Sequence, residues 1–600
     1  MRKRTFAFAL LLCSLCAIVL HSCNDSADRV QKVKQLTKED IVQWQQYLKD
    51  TLLPLSTANS SSRVFKDAFL RARILYKKIE WYSEYFMPTT TRFVNGPPLP
   101  EIENEENKIL EPQGLQVIEP LLYPSFDSTN RKELIRQVKL LLSAAQNYTS
   151  YLEDLEFNDS HVFDAVRLEV FRIISLGISG FDVPLAQSST TEAAVSLKAM
   201  QNILSAYKFT KNQQQELEKR FEDAASYLFA SGSFNDFDRL RFITDYANPL
   251  SRTLKELQTS LNIPFIKDSR LLRTDAATLF DENVFDVNAY VPDSSYYLTS
   301  AKANLGRKLF YDNILSGNSS RNCASCHNPA KAFTDGVAKS VAFTTGFIKR
   351  NSPTLINAAL QPALFYDMRT TNLENQVEDV VSNKDEMHGS LNEALLKVKE
   401  NNEYFRLFKD AYPQIDQIQL KHLQNALASY VRTLTGLASR FDLYMRGDAK
   451  QLNQEEKLGF NLFMGKARCG TCHFMPLFNG TVPPAYKKIE SEVIGVPKTK
   501  GGEVLDDDAG RYAIYQLDPY KNAFKTVTVR NAALTAPYMH NGIYNSLEEV
   551  VDFYTKGGGA GLGIEVKNQT LPFDKLDLNR PEQQAIVAFM KALSDTTRRY

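Results

Sequence analysis

Cysteine is scarce in this chain of 600 residues: there are seven, and Cys13, Cys16 and Cys23 all fall in the first 23 positions. The remaining four, Cys323, Cys326, Cys469 and Cys472, form two close pairs, which excludes a disulfide-stapled scaffold. Charge of one sign is also missing. Lys and Arg number 71 against 70 Asp and Glu, so the strongly basic surface expected of a nucleic-acid binder is absent and no nucleic-acid partner is expected. A long apolar run is the third absence. The stretch from Phe6 to Leu20 is about 15 residues, short of the roughly 20 that span a bilayer.

That stretch follows Arg2, Lys3 and Arg4 and precedes Leu20-His21-Ser22-Cys23. Basic residues, an apolar run and a small residue before cysteine read as an export signal over 1–22, with Cys23 as a lipidated first mature residue. The expectation is an exported, periplasm-facing lipoprotein, held to a membrane through its anchor.

What is present is more specific. Arg321-Asn-Cys-Ala-Ser-Cys-His327 contains Cys-x-x-Cys-His, and a second copy lies at Cys469, Cys472 and His473. In this pentapeptide two thiols can form thioethers to a haem while the adjacent imidazole reaches its iron. A zinc site wants a second ligand pair nearby, and a thioredoxin-like pair does not require the histidine. One chance match in this composition has a probability on the order of one in a thousand. Two covalent haem c groups are therefore expected, with His327 and His473 as iron ligands.

Along the chain, 23–60 reads as a tether and a first helix at Lys38 to Leu52. Residues 61–270 read as a helical domain of unknown role. Apolar spacing predicts helices at 62–87, from Arg131 (Leu134, Val138, Leu141, Leu142, Ala145, Tyr148), and at 160–178, 192–207 and 211–230. Its single histidine, His161, reads as structural, and Tyr76, Trp81, Tyr82, Tyr85 and Phe86 as core or an internal groove. An irregular linker follows at 271–300. A weak repeat comes next: Leu305-Gly306 to Phe310 precedes the first haem segment, Leu458-Gly459 to Phe463 the second, and Phe333-Thr-Asp-Gly336 and Phe478-Asn-Gly480 follow them. Residues 301–447 and 448–600 thus read as two related haem domains, with 391–447 helical and 480–510 a long loop, functional or partly disordered. The predicted fold is mostly α, an N-terminal helical domain followed by two cytochrome c-like haem domains.

From about 300 onward the chain resembles the bacterial di-haem cytochrome c peroxidases and the related enzymes that oxidise protein side chains. The resemblance rests on the haem motifs with Arg350-Asn-Ser-Pro-Thr354, Asp367-x-Arg369, Gln376, Glu386-Met387, Asn453-Gln-x-Glu-Lys457 and Leu534-Thr-Ala-Pro-Tyr-Met-His-Asn-Gly542. It implies that hydrogen peroxide reacts at the first haem, with Glu386 as distal acid/base and Gln376 lining the pocket, and that the second haem passes or stores electrons. It implies an inter-haem relay at Tyr366, where tryptophan is usual, and calcium held by Asn351, Thr535 and Pro537. The histidine that blocks the first iron in switchable members has no counterpart in Thr344–Lys349. Either His388 substitutes or, as we prefer, the site is open. Opposite His473 the usual methionine is replaced by Tyr554, as in the branch that matures a tryptophan-derived quinone; Met464, Met475 and Met539 read as packing residues. The expected function is a peroxidase served by a small electron-donor protein. The alternatives are an oxidase of a partner protein's side chains and a non-enzymatic electron carrier.

Overall fold

The computed structural model describes residues 26–58, 61–103, 108–572 and 574–595. The expected leader and Cys23 lie outside the described residues. The described chain is mostly helical and folds as two compact units, one of residues up to 101 with 110–268, the other of 102–109 with 269 onward. None of its described helices is long and apolar enough to cross a membrane.

The first unit begins earlier than its composition suggests. Residues 26–47 are one helix that continues through Leu48–Leu52 into Leu53–Thr57. Val33, Thr37, Ile41, Trp44 and Leu48 form a fully buried stripe. The polar residues of 26–37 are its outer face, so this segment is core rather than the expected tether. Helices Ser62–Lys77, Glu80–Phe86, Arg131–Asp154, Asp159–Ser175, Ser189–Leu204 and Lys211–Phe229 follow the predicted periodicity closely. Trp44, Tyr76, Tyr82 and Tyr148 pack together at centroid separations of 5.4–6.3 Å. His161 is structural, as expected: it closes a capping box with Asn158 at the start of its helix.

Inside this unit lies a buried ionic network. Arg73 forks onto Glu192 at 2.7 and 2.8 Å, Lys77 reaches Glu80 and Asp182, both at 2.6 Å, and Arg172 forks onto Asp182. Each charge has its partner, which is the condition for tolerating such burial.

The second unit carries both haem segments. Residues 271–300 are irregular but are not a free linker. Leu271, Leu272, Leu279, Phe280 and Val284 are buried, and the Phe280 carbonyl accepts from Arg446 at 2.6 Å. The internal repeat is real and extends further than the residues first suggest. Helix Ser300–Tyr311 crosses Leu420–Thr433, and helix Gln454–Met464 crosses Arg580–Ala592. At each crossing sits the repeated glycine: a Cβ on Gly306 would stand 1.8 Å from the Ala426 carbonyl oxygen, and one on Gly459 1.9 Å from that of Ala585. Only hydrogen fits there. An unrecognised copy, Asn-Ala-Ala-Leu at 357–360 and 531–534, begins in both cases with a left-handed asparagine. Asn357 binds Leu434 O and Gly436, and Asn531 binds Leu593 O and Asp595, so each ties down the end of its half's second helix.

Candidate functional site: two Cys-x-x-Cys-His cavities

Each motif folds as a short 3₁₀ turn, Cys323–Ser325 and Cys469–Thr471. The turn brings the histidine N–H onto the first cysteine's carbonyl, at 3.0 Å for His327 and 2.9 Å for His473. His327 Nδ1 also donates to the Phe333 carbonyl at 3.0 Å, which leaves Nε2 with the free lone pair a metal needs. In the twin, Phe478 faces His473 but lies outside hydrogen-bond limits, and His473 Nδ1 is a buried atom without a partner.

Surrounding protein pushes the Cys323 and Cys469 thiols up to about 12 and the His473 imidazole down to about 4. Yet all four cysteines and both histidines stay partly exposed. Enclosed and partly exposed side chains line cavities rather than fill a core. Two thiols and an imidazole on each wall are the donors that covalent haem requires, so the residues fit that group.

Glu386 stands at the first cavity, where its charge acts on the Cys326 thiol. Asn383 builds its turn, accepting from Asp385 N at 2.9 Å and donating to Glu386 Oε1 at 2.8 Å. Arg321, at the head of the haem segment, clasps the Glu386 carbonyl at 3.2 Å. Burial raises the Glu386 pKa above the ordinary carboxyl range, and Arg369 opposes that rise. Gln376 is half-buried on the helix Leu373–Ser382 that leads into this turn. His388 is exposed and lies edge-on to Phe343 at 5.1 Å, a surface position. Thr344–Lys349 forms the outer arm of a hairpin with Phe347 pointing to solvent.

Tyr366 is tied to Asn351 and to Lys525. Its phenol donates to Asn351 Oδ1 at 3.4 Å, and its carbonyl accepts from Lys525 N at 2.7 Å. Lys525 pairs with Ser491, whose neighbour Glu492 acts on Cys472. Tyr554, on helix Leu547–Thr555, is enclosed beside the second motif: burial, then Cys472, Cys469 and Glu492, push its phenol up. Met464 and Met475 are fully buried packing residues, and Met539 is half-buried on a left-handed backbone. Asn351 donates to the Val337 carbonyl at 2.9 Å, and its own N–H bonds His540 O at 2.7 Å, in the segment that also carries Thr535 and Pro537. These three offer neutral oxygens; among the described residues no group of three or more His, Cys, Asp or Glu converges as a metal site.

Two features escaped sequence reasoning. Glu492 joins the second cavity with its carboxyl raised to about 7 by burial, and nothing in a loop glutamate signals that. The 480–510 loop is described throughout and fastened, since Asp508 takes a two-pronged bond from Arg350 at 2.7 and 3.0 Å and a further one from Lys349. Asp506 meets His540 at 3.0 Å, whose ring stacks on Phe524 at 3.8 Å.

Two Cys-x-x-Cys-His turns, the first with a carboxyl beside it and the second with a phenol, carry the donor set of a c-type haem protein. The profile of the family described as di-haem cytochrome c peroxidase matches residues 300–450. The methylamine utilization protein MauG of Methylorubrum extorquens is 34% identical over 298 residues, covering 49% of this chain and 79% of that protein. Cytochrome-c peroxidase IdrP2 of Denitromonas iodatirespirans is 33% identical, covering 48% and 80%, and the cytochrome c551 peroxidase of Nitrosomonas europaea 31% identical, covering 52% and 84%. Among solved structures, a MauG-like protein associated with microbial copper homeostasis is 28% identical with a TM-score of 0.45, covering 51% of this chain and 94% of that one. The chain belongs to the di-haem cytochrome c peroxidase family, an oxidoreductase family whose members carry two haem c groups. The likeness is confined to about half of the chain.

Proposed function

We propose that the protein reduces hydrogen peroxide at the first haem, with electrons passed through the second. A haem bound at His327 supplies the iron redox chemistry that breaks the O–O bond. Glu386 would take the proton from one peroxide oxygen and return it to the other, which leaves as water. Gln376 orients the peroxide by hydrogen bonding, and Tyr366 relays electrons between the cavities. The observation that carries this reading is the half-buried Glu386 carboxyl, held by Asn383 at the Cys326 wall with a raised proton affinity.

His473 and Tyr554 are the residues that would hold the second iron. An anionic oxygen ligand favours the ferric state, which suits storing an oxidising equivalent. The position of Tyr554 beside Cys469 and Cys472 therefore favours a second reading, oxidation of a partner protein's side chains, over a carrier with two closed irons. A small donor protein, calcium at Asn351, Thr535 and Pro537, and periplasmic anchoring through Cys23 complete the proposal. Its test is stopped-flow absorbance after peroxide is added to fully ferric protein never exposed to reductant. An immediate haem spectral change is expected, because Thr344–Lys349 has no blocking imidazole; a requirement for prior half-reduction overturns the open site.

A further inference from the structure

A file of aromatic rings runs from the first haem ligand to the surface of the second unit. His327 donates to the Phe333 carbonyl. The Phe333 ring lies 6.3 Å from Phe310, and Phe310 lies 5.0 Å from Tyr430 and 5.2 Å from Tyr311, all edge to face. The Tyr430 and Tyr311 hydroxyls are 3.4 Å apart. Exposure rises along the file: Phe333 0%, Phe310 2%, Tyr430 6%, Tyr311 41%. Phe310, Tyr311 and Tyr430 stand on helices Ser300–Tyr311 and Leu420–Thr433, the crossing that Gly306 permits, and Phe333 follows the first haem segment.

The outer end opens into a hollow of about 730 Å³ bordered by Arg307, Lys308, Tyr311, Asp312 and Asn322, with the Asp312 carboxylate accepting from the Tyr404 hydroxyl at 2.6 Å and Ile314 N at 2.9 Å. Asn322 is the residue before Cys323. Lys308 pairs with Glu403 at 3.0 Å, whereas Arg307 has no carboxylate partner among the described residues. Arg307 is therefore the cation that an anionic donor would meet there, with Asp312 already engaged by neutral donors. None of these tyrosines has a part in the peroxide chemistry described above.

We propose that Tyr311 is a second oxidation site, at which small anionic aromatic electron donors are oxidised by way of Tyr430, Phe310 and Phe333. The inference rests on the peroxide reading. Tyr311 gives one electron inward along the file and its phenolic proton to water in the hollow, leaving a neutral phenoxyl radical. The donor then returns one electron to Tyr311 while a proton re-enters from solvent, and the donor departs as its one-electron oxidised radical. Two such cycles supply the two electrons, and two protons taken up from solvent at the peroxide site by way of Glu386 complete the conversion of one hydrogen peroxide to two waters.

The test uses the holoprotein with peroxide and a nitroso spin trap, followed by peptide mass mapping, alongside oxidation of the sulfonated donor ABTS. The expected adduct is on Tyr311; Tyr311→Phe removes it and lowers ABTS oxidation at least tenfold, and Tyr430→Phe weakens both. Tyr297→Phe, which changes another exposed tyrosine of the unit, leaves them in place. If peroxide alters the haem spectrum but Tyr311 takes no adduct, or if Tyr311→Phe oxidises ABTS at the original rate, the relay is overturned and the peroxide reading stands. If the wild-type haem spectrum does not respond to peroxide, both fall.

Discussion

Glu386 and Tyr554 carry the most chemical information per residue. Glu386→Gln removes the proton shuttle while leaving the thioethers untouched, so peroxide turnover is expected to fall by about 10²–10⁴-fold with both haems retained; steady-state kinetics and haem quantification check it. The pH dependence has a definite sign. The base must be ionised to accept a proton, and its pKa is raised by burial, so kcat/KM falls on the acid side at a pH above the ordinary glutamate range. Arg369 opposes that rise, and Arg369→Gln therefore moves the acid limb to higher pH. On the proposed ligation, Tyr554→Phe removes an anionic ligand, and reductive titration with magnetic spectroscopy should show the second haem becoming easier to reduce. A His–Met signal that survives the substitution would reject the assignment.

The helix pairs are the elements that hold the cavities. Gly306 and Gly459 sit where backbone meets backbone, so Gly306→Ala or Gly459→Ala forces each crossing apart. Overpacking of this kind costs about 1–3 kcal/mol, and here the obstacle is a carbonyl rather than a flexible side chain. Lowered thermal stability and reduced haem incorporation in the half concerned are expected, measured by calorimetry and pyridine haemochrome absorbance. The Leu-Gly repeat was legible in the chain because a helix crossing uses consecutive residues. Its energetic reason was not, because Ala426 and Ala585 come from distant helices.

The described chain folds as two compact units, and the buried ionic network belongs to the first. Glu192→Gln strands the buried Arg73 guanidinium, and breaking such a pair costs about 3–5 kcal/mol. The transition of the first unit should fall in differential scanning calorimetry while the haem absorbance transition stays where it was.

The amino-acid sequence by itself determined what is local. Cys-x-x-Cys-His completes its geometry within five residues, and the helices of 131–230 follow from the spacing of apolar side chains along one face. The likeness that points to Glu386 and Tyr554 is likewise written in short ordered motifs. Tertiary structure alone decided what depends on residues far apart in the chain. It turned 26–37 from tether into core through Val33 and Thr37, and buried Leu271, Leu272, Leu279, Phe280 and Val284 of the expected linker. It fastened 480–510 through Arg350 and Asp508, set Glu492 beside Cys472, and joined two repeated halves into one unit. Those outcomes rest on burial and ion pairing between segments that no period or motif connects, so their physical cause exists only once the chain is folded.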